Sequence, residues 1–170
     1  MSRAWASAAA LLAAFVLQVV IAPHIALLGT VPSFPVLVVI TLALVEGPRA
    51  GAWSGFFAGL LLDLLGTHPV GAWALVLTVV GYVAGMVQAN LFAEGWLLPV
   101  TVAVIASVMA ELAYLIVLII LGTGMPLWSS IIAVVLPRGV YNTVLALLLY
   151  PWLARFLRPD QGVKSFRRFA

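Results

Sequence analysis

The 170-residue sequence contains no cysteine, which excludes disulfides, thiolate metal sites and cysteine nucleophiles and removes any redox clue to the compartment. Charge is almost as scarce: 8% of residues are Asp, Glu, Lys or Arg, where an ordinary soluble domain has about a quarter. Histidine occurs only at His24 and His68, each beside a proline near an expected span end. Neither has a second ligand at helical spacing, so no metal site and no cofactor are expected. What fills the chain is apolar, at 65% hydrophobic residues and a mean hydropathy of +1.25. No polar stretch of domain size remains between the apolar runs, so a single membrane domain is expected over residues 1–154.

The few charges are unevenly placed. Arg155, Arg158, Lys164, Arg167 and Arg168 crowd into the segment 155–170. A basic tail directly after an apolar helix marks the cytoplasmic side and can lie on anionic lipid headgroups. Nucleic acid is not expected as a partner, because no aromatic or polar readout groups surround this tail.

Crossing roughly 30 Å of hydrocarbon takes about 20 apolar residues in a helix. Six runs fit, at 4–28, 36–45, 50–65, 71–92, 96–121 and 127–153. They are separated by the turn-forming segments 29–35, 46–49, 66–70, 93–95 and 122–126. The second run is short for a full crossing and needs loop residues, a small tilt, or neighbours that protect its ends. The sixth is interrupted by Pro137 and Arg138. None of the runs alternates polar with apolar residues, which excludes a β-barrel. The expected fold is all-α, a polytopic membrane bundle of about six helices, or five if the second and third runs form one bent or re-entrant unit. An even count puts both termini on the side that collects Arg3, Arg49 and the tail. The opposite loops carry no Lys or Arg, so both termini are expected in the cytoplasm. The first run is about twice as long as a signal-peptide core, which favours an uncleaved span.

An ionised group carried into hydrocarbon costs about 3 kcal/mol or more, so Asp63, Glu111 and Arg138 need partners, water or a purpose. Asp63 sits about one turn from the end of its run, where it reaches water, caps the following turn, or accepts hydrogen bonds from the 66–68 loop or a cation. Glu111 and Arg138 each lie roughly 15 Å from the loop that joins their runs, counted at 1.5 Å per residue. Antiparallel neighbours therefore bring them to one depth, as an ion pair shared with Asn142 or as a proton relay or partner contact. Gly51, Gly55 and Gly59 recur at four-residue steps, and Gly81 and Gly85 repeat the spacing on the next run. Such glycines allow close backbone approach, either within the chain or to a partner's helix, with Gly51 expected to lie more open to a partner than Gly59. No catalytic residues are expected. Asp63 and Glu111 differ in depth by about 10 Å, too far to share a proton, and no serine has a histidine placed to activate it.

Gly51-Ala-Trp-Ser-Gly55-Phe-Phe-Ala-Gly59-Leu-Leu-Leu-Asp63-Leu, followed by Pro69-Val-Gly71 and Gly81-Tyr82-Val83-Ala84-Gly85, resembles the rod shape-determining protein MreD family. Arg138-Gly-Val-Tyr141-Asn142-Thr143 with Leu149-Tyr150-Pro151 is similar to its final span. Pro35-Val36 departs from the family's proline-acidic pair. The resemblance implies a non-catalytic scaffold subunit of the bacterial elongation machinery in the inner membrane. The implied partners are MreC and, through the complex, the RodA glycosyltransferase and a class B penicillin-binding transpeptidase. The family's helix arrangement is similar to the substrate-binding S components of energy-coupling-factor vitamin transporters, which supplies an alternative function of a different class. Outer loops poor in polar groups favour the scaffold.

Overall fold

A computed structural model describes residues 3–26, 30–67, 69–90 and 97–157. The described residues form six helices: α1 (Arg3–Val20), α2 (Phe34–Glu46), α3 (Pro48–Leu65), α4 (Ala72–Asn90), α5 (Leu97–Ile120) and α6 (Leu127–Leu157). Among the described residues, three stretches are long and apolar enough to cross a membrane: Ala72–Asn90, Pro99–Ile120 and Leu127–Leu157. Large apolar side chains point outward from the bundle, among them Trp53, Leu75, Ile105, Ile116, Val140 and Leu148. So extensive an apolar exterior suits lipid rather than water.

The short second run has a clear solution. α2 has 13 residues, about 20 Å of helix, and 11 of them are buried. Contacts with α1, α3, α4, α5 and α6 surround it. Val36, Leu37, Val39, Ile40 and Leu42 are all at or near zero exposure, so α2 is the axis on which the other helices pack. An all-round apolar sequence with no polar face is what such a position requires.

Two expected boundaries are corrected. The first run does not continue as one helix to Leu28. α1 ends at Val20 and a 3₁₀ turn follows at Ala22–Ile25, because Pro23 has no N–H to continue the α-helical ladder. Pro137 and Arg138 do not interrupt α6. The helix is α-helical at Leu127–Ser130, passes through a π-helical turn at Ile131–Val135, and resumes at Leu136–Leu157. The π turn, in which the Leu136 N–H bonds to the Ile131 carbonyl, absorbs the proline within the helix. Arg155 lies on α6, while Arg158, Lys164, Arg167 and Arg168, like His68 and the 93–95 turn, lie outside the described residues.

α3 and α4 make the most extensive helix pair. A Cβ at Gly51 would collide with the Gly81 carbonyl, and one at Gly81 with the Gly51 carbonyl. Gly55 faces the Leu77 and Thr78 backbone, Gly59 that of Trp73 and Ala74, and Gly85 that of Gly47 and Pro48. All five glycines are buried, and α3 and α4 touch backbone to backbone along their length. The expectation that Gly51 lies open to a partner is corrected: α4 occupies the whole glycine face.

Candidate functional site

A buried helix start leaves N–H groups that must find acceptors, and in lipid each one left unmade is costly. The starts of α4 and α2 are buried in this way, and side chains of other helices supply their acceptors. At α4, Asp63 accepts the Gly71 N–H at 2.9 Å, the Trp73 N–H at 3.0 Å and the Ala74 N–H at 3.0 Å. The carboxylate is 3% exposed. Its charge is answered by three donors and by the positive end of the α4 dipole. Gly71 holds φ at +105°, a left-handed conformation that suits glycine and turns the chain onto Asp63. The donors thus come from Gly71, Trp73 and Ala74, further along the chain than the expected 66–68 loop.

At α2, Asn142 on α6 accepts the Ser33 N–H through Oδ1 at 3.0 Å, and Gln18 on α1 accepts the Phe34 N–H at 3.0 Å. Tyr141, next to Asn142, donates its hydroxyl to the Ile25 carbonyl at 2.7 Å. α1, the irregular stretch after it and α6 are thereby tied together at the entrance to the central helix. The Asn142 oxygen is thus engaged by the Ser33 N–H rather than by the Glu111–Arg138 pair. No role for Gln18 or Tyr141 follows from the sequence, where Tyr141 stands only within the final-span motif. For Gln18 the available signal is that it alone breaks the first apolar run with an amide.

Arg138 Nη1 donates to Glu111 Oε2 at 3.3 Å, joining α5 to α6. Glu111 is 2% exposed and the Arg138 side chain 29%. The equal depth counted along the two runs brings them together. Gly139 lets the helices approach beside the pair, since a Cβ there would lie 3.3 Å from Val108 Cγ2. The pair leaves Glu111 Oε1 and Arg138 Nε buried without a hydrogen-bond partner.

Glu111 and Arg138 are among the residues that line a cavity of about 620 Å³ between the α3–α4 corner, α5 and the first half of α6. The Trp73 and Tyr114 rings stack on one side of it, with centroids 4.0 Å apart and planes 15° apart. Leu62, Leu115 and Leu118 add apolar wall, and Thr67, Ser129 and Ser130 lie toward the loops. Aromatic and polar groups therefore do gather at this end of the bundle. They project from the helices, which a reading of loop composition misses.

Asp63 and the Glu111–Arg138 pair thus line one cavity, while Asn142 serves another junction and the five glycines form the α3–α4 seam. Among the described residues no group of three His, Cys, Asp or Glu side chains is arranged to hold a metal. No curated protein and no solved structure shows a significant match to the chain. The five glycines of the Gly51-to-Gly85 signature, with Asp63 and Gly71, form one structural unit, the glycine seam closed by the Asp63 cap. The rod shape-determining protein MreD family model matches residues 3–159, and the chain belongs to that family.

Proposed function

We propose that the chain is a non-catalytic, six-span scaffold subunit of the bacterial elongation complex in the inner membrane, with both termini cytoplasmic. It binds MreC and, through the complex, the RodA glycosyltransferase and the class B penicillin-binding transpeptidase. The observation that carries this reading is the family match over residues 3–159, which includes the seam, the cap and the final span. The use of the buried polar residues is in keeping with a scaffold. Asp63, Gln18 and Asn142 hold backbone donors at helix starts, and Glu111 neutralises Arg138. None of these contacts sets a nucleophile beside a base, as group transfer would need. The exposed apolar exterior of α3 and α6, including Trp53, Phe57, Val140 and Leu148, offers surface for partner helices and lipid.

The 620 Å³ cavity favours one further reading, the S-component-type subunit that binds a small molecule, since cavities of about 300–1,000 Å³ accommodate such ligands. Depletion of the protein in its own host distinguishes the two. A scaffold's loss rounds the cells and disperses wall incorporation along the cylinder, and a plasmid copy restores rods. Rods that persist while uptake of a nutrient fails contradict the scaffold.

A further inference from the structure

The first and last helices of the bundle leave a gap between them. α1 and α6 both pack on α2 and, among the described residues, scarcely on each other. The gap is a groove of about 330 Å³, lined by apolar and aromatic side chains alone. Its α1 wall is kept low by Ala9 and Ala13, both exposed, and Leu37 of α2 lies in its floor. Leu149, Trp152 and Phe156 of α6 form the other wall. An α-helix about 10 Å across fills roughly 1,500 Å³ over 20 Å of length, several times the space in the groove. The groove therefore admits a hydrocarbon chain and not a whole helix.

The end of the groove at Trp152 and Phe156 differs in character from the rest. These two rings are 68% and 63% exposed and stack with centroids 6.2 Å apart. Exposed tryptophan near the end of a membrane helix sits at headgroup level. Arg155, exposed in the last turn of α6, stands between them in the sequence, and α1 begins at Arg3, six residues before Ala9. Glu46, the described acid at this end of the bundle, is engaged by Ser7 Oγ, which donates to it at 2.6 Å. Beyond α6 the sequence continues with Arg158, Lys164, Arg167 and Arg168 against the single acid Asp160. An apolar groove thus opens at the end of the bundle from which the basic segment continues.

We propose that this groove seats one acyl chain of an anionic phospholipid from the cytoplasmic leaflet, whose phosphate meets the Arg155 guanidinium at the mouth. Guanidinium and phosphate make strong charge-assisted hydrogen bonds, and the apolar walls accept the chain without leaving a polar group unpaired. The inference rests on the membrane-spanning reading with both termini cytoplasmic. It adds to the scaffold a lipid that joins α1 to α6, which protein contacts leave apart.

Native mass spectrometry of the full chain in mild detergent tests this with dioleoyl phosphatidylglycerol and dioleoyl phosphatidylcholine, which share their chains and differ in net charge. The expected result is a 1:1 adduct with phosphatidylglycerol, bound at least about fivefold more tightly than phosphatidylcholine. Arg155→Gln, at an exposed position, should remove most of that preference in a protein that still folds. Ala13→Trp fills the groove and should abolish the adduct while thermal unfolding in detergent alone stays unchanged. Ala9→Trp, about one turn nearer the mouth, serves the same purpose if Ala13→Trp does not fold. Equal binding of the two lipids, a preference untouched by Arg155→Gln, or an adduct that survives in a folded tryptophan variant overturns the proposal. Loss of the adduct when MreC is bound assigns the groove to a partner and overturns it as well. Lipid preference in detergent does not depend on orientation, which a reporter fused at residue 170 reads separately, so failure of the site is distinguishable from failure of the topology.

Discussion

The Asp63 carboxylate, at the end of α3, accepts the backbone N–H of Trp73 in the first turn of α4 at 3.0 Å. With Gly71 and Ala74 it makes a helix cap supplied by a neighbouring helix rather than by the residue just before the helix. The glycine seam makes this geometry available, because only helices in backbone contact bring a short Asp side chain within reach of the next helix's amides. Asp63→Ala strands two buried donors and a part-buried one and should cost about 3 kcal/mol or more. Asp63→Asn should recover part of it, since its carbonyl oxygen can still accept the Gly71 and Ala74 N–H groups while its NH₂ meets the Trp73 N–H. Steric-trapping or thermal unfolding in detergent measures both, and wild-type stability of either variant contradicts the cap.

Removing one member of the Glu111–Arg138 pair leaves a buried unpaired charge. Glu111→Leu and Arg138→Met are each expected to destabilise by about 3–5 kcal/mol, while the double variant should be far better tolerated. A double-mutant cycle on unfolding free energy checks this. Additive losses would mean that the two side chains do not interact.

Gly55→Leu is expected to break the bundle from within. The Leu77 and Thr78 backbone occupies the space that any side chain at position 55 needs, and backbone cannot rotate away. Gly51→Leu and Gly59→Leu meet the same obstacle, so all three should lower thermal stability and steady-state abundance. Trp53→Leu, on the exposed face of the same helix, should leave the isolated protein stable within about 0.5 kcal/mol. Folded leucine variants at all three glycines contradict the seam.

Asn142→Leu removes the acceptor for the Ser33 N–H at the start of the central helix and should cost about 1–3 kcal/mol. Gln18→Leu should act in the same direction through Phe34, and the pair can be compared by thermal unfolding.

The fold was largely legible because hydrophobic length and turn residues mark helices directly. The meeting of Glu111 and Arg138 was legible too, since depth along two antiparallel runs is a matter of counting. Three things were hidden. The central place of α2 depends on five neighbours that no local pattern reveals, although its unbroken apolar sequence is consistent with it. The partners of Asp63 and Asn142 are backbone amides, and sequence records side chains alone. The cavity arises from gaps between helices, so its lining, from Leu62 to Arg138, is scattered over four of them.

The scaffold reading is tested most directly by affinity purification of the full chain from its host in mild detergent, followed by identification and quantitation of what remains bound. The expected result is MreC in fixed proportion to the chain, retained in Trp53→Leu if that face is not the contact, and lost in Gly55→Leu along with the fold. Recovery of the chain with an ATP-binding module and its membrane T subunit, and without MreC, would contradict it.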